Sequence, residues 1–127
     1  MAVRIMARKL KMALLIGAGL AGAGFGDVKL GDAPAAERER RNPYAGVQDA
    51  ALAGKKLFKR HCATCHGADG LGKGKAPGLR SSKVRTAAPG ELFWFLRNGD
   101  LNQGMPAWSR LPDQQIWQLV TYLESLR

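Results

Sequence analysis

Cysteine and histidine are scarce in this 127-residue chain, with two of each. That excludes a multi-bridge disulfide framework, and it excludes a zinc site built from two separated ligand pairs, since a closed zinc site usually takes four ligands. Acidic residues are outnumbered, ten against twenty basic ones, giving a formal charge of +10. No Walker or dinucleotide-binding glycine spacing occurs. Nothing reads as a strand, which removes the βαβ setting of a thioredoxin-type dithiol. No internal repeat is visible. The apolar run at 12–25 is glycine-rich and shorter than the roughly 20 residues that span a bilayer.

The basic excess alone would suggest nucleic acid or a membrane surface as partner. Its placement argues otherwise. Arg4, Arg8, Lys9 and Lys11 precede the apolar run, and Ala21-Gly22-Ala23 closes it with small residues. This is the layout of a secretory signal peptide over 1–23, with cleavage expected after Ala23 or, as second choice, at Gly26. An uncleaved membrane anchor is the alternative. No cysteine follows the run, so there is no lipoprotein attachment site. Residues 24–46 lack apolar periodicity and carry the mixed-charge run Glu37-Arg38-Glu39-Arg40-Arg41. They read as a flexible, solvated leader, with a folded domain over 47–127.

Both cysteines fall in Cys62-Ala63-Thr64-Cys65-His66. Two thiols three positions apart, followed directly by an imidazole, form the attachment signature of a c-type haem. In a helical or tightly turned segment both thiols lie on one side, where each can form a thioether to a haem vinyl group. His66 then supplies one axial ligand. A disulfide would close little chain and stabilise little, and it would leave His66 unexplained. Export fits the motif, because c-type haem is attached on the outer side of the energy-transducing membrane.

Periodicity predicts three helices. Val47, Ala50, Ala51, Gly54, Leu57 and Phe58 make an apolar stripe over 47–61. Gly54 costs about 1 kcal/mol against Ala in a helix, which makes sense if another helix crosses closely there. Leu92, Phe93, Phe95 and Leu96 mark a second helix over 89–98, ended by Asn98-Gly99. Ile116, Leu119, Val120, Leu123 and Leu126 mark a third from Pro112. Residues 67–88 and 100–111 read as loops. A folded part of about 80 residues is marginal without a staple, and a large flat ligand among Phe58, Phe93, Trp94, Phe95, Trp108 and Trp117 would supply one.

The iron's second axial ligand follows by elimination. His61 adjoins Cys62 on the attachment side. Met1, Met6 and Met12 belong to the signal, which leaves Met105, followed by Pro106. A lone methionine is usually a core filler; the covalent motif reverses that reading.

With these residues the chain resembles the class I cytochrome c family, the small bacterial single-haem domains, over about 50–126. The resemblance rests on Cys62, Cys65 and His66 and on Met105 in Gly-Met-Pro-Ala-Trp. It implies an all-α fold of three to four short helices around one haem c bound covalently through Cys62 and Cys65. The first and last helices would cross, Gly54 and Phe58 meeting Leu119 and Tyr122. Pro77 would accept the proximal histidine's N–H, orienting its ring, and Leu79 would pack on the haem. Trp94 and Trp108 are alternative donors to a haem propionate.

The functional expectation is a periplasmic one-electron carrier with His66/Met105 ligation, not an enzyme. It would pass electrons between a dehydrogenase or respiratory complex and an oxidase. From residue 47 onward twelve basic residues face six acidic ones, a balance of +6. Lys55, Lys56, Lys59, Arg60, Lys73 and Lys75 flank the motif and could steer an acidic redox partner. No nucleic-acid partner is expected, and membrane contact only through partner complexes or an uncleaved signal. The alternatives are a haem subunit of a larger dehydrogenase or oxidase complex, and a catalytic or sensing haem protein in which Met105 leaves the iron.

Overall fold

The computed structural model describes residues 29–127 except Lys75 and Pro77. The expected signal at 1–23, residues 24–28 and Pro77 therefore lie outside the described residues. The elements are α1 (Ala35–Arg38), α2 (Gln48–His61), α3 (Ala63–His66), α4 (Ser82–Thr86), α5 (Pro89–Asn98) and α6 (Asp113–Ser125). Single 3-10 turns sit at Leu30–Asp32 and Leu101–Gln103. Among the described residues there is no strand, only isolated bridges at Lys73 with Ala76 and Asp100 with Met105. No described helix is long and apolar enough to cross a membrane.

The three periodic stripes become the three long helices. The α2 stripe buries Ala50, Gly54, Leu57 and Phe58, and α6 buries Ile116, Leu119, Val120 and Leu123 against it. Pro112 is the residue before α6 rather than its first turn, with Asp113 opening the helix at the positive end of its dipole. The crossing expected at Gly54 is present. A Cβ there would overlap the Gln118 carbonyl oxygen and come within 2.8 Å of Tyr122 Cβ. One turn further on, the Phe58 and Tyr122 rings lie 5.3 Å apart and tilted. α5 closes the core, its Phe93 ring stacked on Trp117 at 4.2 Å.

Two expectations differ from what folds. The loop read over 67–88 contains α4, five residues long and without a buried position, too short to register as periodicity. The leader expected over 24–46 to be flexible and solvated packs on the domain over its described part, 29–46. The Arg40 guanidinium lies over the Phe93 ring, 4.2 Å from its centroid. Asn42 is buried and donates through Nδ2 to Thr121 Oγ1 and Glu124 Oε2, both at 2.9 Å. Single polar side chains make these contacts, so the apolar pattern of the sequence carries no trace of them.

Candidate haem site

The last turn of α2 and the whole of α3 build one wall of the site. Cys62 joins the two helices, its N–H donating to the Phe58 carbonyl at 2.8 Å. Its own carbonyl accepts from the Cys65 and His66 amides at 3.1 and 2.9 Å. The pentapeptide is therefore one tight helical turn, the conformation the motif's spacing requires. Gly72 N–H donates to the His66 carbonyl at 2.9 Å, and Leu79 N–H to the Gly70 carbonyl at 2.7 Å. These bonds bring the glycine-rich loop back under α3.

Residues 99–108 form the opposite wall. Asp100 and Met105 exchange both backbone hydrogen bonds at 2.9 Å, and Trp108 N–H donates to the Leu96 carbonyl at 2.9 Å. Gly99 has φ +63°, and any Cβ there would be 2.5 Å from the Pro106 carbonyl. Only glycine permits this approach, and it fixes where Met105 sits.

Between the walls lies a cavity of about 830 Å³, within the roughly 300–1,000 Å³ typical of ligand sites. Cys62, Cys65, His66, Leu79, Met105 and Trp108 all line it, together with Phe58, Leu92, Leu96 and Leu119. The structure thus gathers six of the eight residues expected from sequence. Pro77 is outside the described residues. Trp94 is not in the wall: on α5 it is Leu92, Phe95 and Leu96 that face the cavity, and Trp94 takes another face of the helix. Of the two tryptophans, only Trp108 lines the cavity.

Leu30, Asp100 and His61 are among the lining groups that sequence reasoning did not place there. Leu30 reaches the cavity from the segment before α1. Asp100 is buried, and its Oδ1 has no hydrogen-bond partner. His61, expected to stay apart from the far wall, lines the same cavity and rests against Trp108 with ring centroids 5.0 Å apart. Burial, then the Arg60 and Arg110 guanidiniums, holds its pKa below the ordinary 6.5. Arg110 in turn lies 4.5 Å over the Trp108 ring. Sequence adjacency to Cys62 misplaces His61 because the end of α2 runs alongside the segment after Met105.

The donor set fits a covalently held haem. The two thiols are free, and the His66 imidazole and the Met105 thioether stand on separate walls of a mostly apolar cavity large enough for a flat macrocycle. Burial, then the neighbouring Cys65, pushes the Cys62 thiol up to about 11. It is therefore protonated at neutral pH, unlike the acidic thiols of dithiol redox motifs. Among the described residues no group of three or more His, Cys, Asp or Glu side chains could hold a metal ion as a cage.

The family model described as cytochrome c oxidase, cbb3-type, subunit III, matches residues 49–123. The chain belongs to this family of c-type cytochromes. A curated relative, cytochrome c550 of Pseudomonas aeruginosa, is 34% identical over 92 residues, which are 68% of this chain and 62% of that one. Cytochrome cL of Methylophaga aminisulfidivorans superposes with a TM-score of 0.57 at 25% identity, covering 65% of this chain and 57% of the other. The c-type cytochrome XoxG of Methylobacterium extorquens gives 0.53 at 28%, covering 61% and 50%. The chain spans between half and two thirds of the length of these relatives. The all-α cytochrome c fold expected from the resemblance is the fold observed.

Proposed function

We propose that this chain is an exported one-electron carrier holding a single haem c. Cys62 and Cys65 would bind it through two thioethers, His66 and Met105 would be its axial ligands, and Leu79 and Trp108 would pack around it. One observation carries this reading: two free thiols, the His66 imidazole beside them and the Met105 thioether line one apolar cavity from two separate segments. When bound, haem supplies the Fe(III)/Fe(II) couple, and nitrogen–sulfur ligation sets that couple at a high potential.

The chain's own residues set the terms of transfer. His66 and Met105 would hold the iron between them and so would leave oxygen or peroxide no open position on it. Phe58, Leu92, Leu96 and Leu119 keep water from the cavity and so favour the less charged ferrous state. Lys55, Lys56, Lys59 and Arg60 are exposed on α2 beside the motif, where they would steer an acidic redox partner.

The test is a redox-poised visible spectrum with a haemochrome assay on the exported protein. One haem c per chain and a low-spin methionine-ligated spectrum are expected. A five-coordinate or high-spin spectrum at neutral pH would overturn the carrier reading. The family description names an oxidase subunit, which favours as second reading a haem subunit of a larger respiratory complex. Co-purification with membrane oxidase components separates that from a free shuttle.

A further inference from the structure

Residues 29–44 lie outside the part matched by the family model, which begins at residue 49, yet they are built into the domain. The segment is closed on itself by Arg38 Nε, which donates to the Ala33 carbonyl at 2.8 Å, and Ala33 is 2% exposed. It is then fastened at three places. Gly90 of α5 offers no side chain, and a Cβ there would overlap the Glu37 carbonyl oxygen. Arg40 stacks on Phe93 and reaches Trp117, 5.4 Å from its centroid. Asn42 bridges Thr121 and Glu124 on α6. Before α1 the same segment brings Leu30 into the cavity wall.

We propose that this strap is part of the haem-binding site, with Leu30 a wall residue that keeps water from the cofactor and Arg40 and Asn42 the positioning residues that hold it there. The proposal rests on the haem reading above. An apolar side chain at the cavity edge excludes water, and the dielectric there governs the redox potential. The strap would therefore raise the potential of a bound haem by keeping water from its cavity, without supplying a ligand.

The test uses the full-length haem-loaded protein and two readouts, the midpoint potential and the affinity of the ferric form for imidazole. Leu30→Asn is expected to shift the reduction equilibrium at least tenfold toward the ferric state, which is 59 mV for one electron, and to tighten imidazole binding several-fold. Leu30→Met should restore both to within twofold of the wild type. The double variant Arg40→Ala/Asn42→Ala leaves Leu30 in place and should move both readouts in the same direction. If Leu30→Asn does not fold, Leu30→Ala is read by the same criteria. A wild-type potential and imidazole affinity in the Leu30 variants overturn the proposal. Loss of covalent haem from the wild-type chain instead overturns the reading beneath it and takes the strap's role with it, so the two failures are told apart before any variant is made.

Discussion

The crossing of α2 and α6 is the joint on which the cavity is hung, and Gly54→Ala tests it. The new methyl would overlap the Gln118 carbonyl oxygen, 2.6 Å from its carbon and 2.8 Å from Tyr122 Cβ. The first two atoms are backbone in the middle of a helix and cannot rotate aside, so the helices must separate. Overpacking of this kind costs about 1–3 kcal/mol, and a backbone neighbour puts it at the upper end. Alanine's helix propensity returns about 1 kcal/mol. The net loss is about 2 kcal/mol, against a total stability of about 5–15 kcal/mol for a domain. At about 4–8 °C per kcal/mol for a domain this small, the melting temperature should drop by roughly 8–16 °C.

Far-UV circular dichroism of the haem-loaded protein, melted and titrated with guanidinium, measures this directly. Gly31→Ala is the control, since nothing lies within 4 Å of a Cβ there, and it should melt like the wild type. The cavity should feel the separation as well. Phe58 and Leu119 come from the two helices concerned and both line it, so the haem spectrum should broaden at temperatures below the melt. A Gly54→Ala protein as stable as the wild type, or more so, would mean that propensity outweighs contact. The close crossing would then be refuted.

Three further outcomes follow from the site. Met105→Ala should lower the midpoint potential and open the iron to added imidazole, read by potentiometry and visible spectroscopy; an unchanged low-spin spectrum without added ligand would remove Met105 as the donor. Asp100→Asn takes a carboxylate with an unpartnered oxygen out of the cavity wall, and should move the potential upward by about one tenfold step, 59 mV; no shift would place that charge beyond reach of the iron. The His61 imidazole has its folded pKa below 6.5, so the unfolded chain takes up its proton first as pH falls. The stability this confers is present above about 6.5 and is lost below it. Guanidinium midpoints at about pH 7.5 and pH 5 should converge in His61→Gln, whereas equal pH slopes in variant and wild type would refute the assignment.

Much of the site was legible because its chemistry is local. Five consecutive residues specify thiols and imidazole on one turn, and α3 with the Cys62 carbonyl forms that turn. The long helices were legible because each buries a stripe. Their bounds at Gln48–His61, Pro89–Asn98 and Asp113–Ser125 fall within a residue or two of the apolar periods. Gly54 stood out as a cost in propensity that demanded a neighbour. Trp94 and Trp108 could not be separated beforehand, since both are large and near the right elements. The choice depends on which face of α5 turns inward and on the hydrogen bond from Trp108 to Leu96.

What stayed hidden has a common physical origin. Leu30, Arg40, Asn42 and His61 enter the structure singly, through contacts that one side chain makes with a segment far away in sequence. No period registers such contacts, and composition misleads. A run of Glu and Arg reads as solvated, yet one of its arginines becomes the cover of an aromatic pair at the centre of the core. A guanidinium can do this because it is planar and weakly hydrated, so it stacks on Phe93 at modest desolvation cost. A lysine at position 40 would be more strongly hydrated and could not stack in this way. The segment from 29 to 44 is thus joined to the domain by geometry specific to arginine and asparagine, and a hydropathy scale that ranks both as surface residues assigns it to solvent.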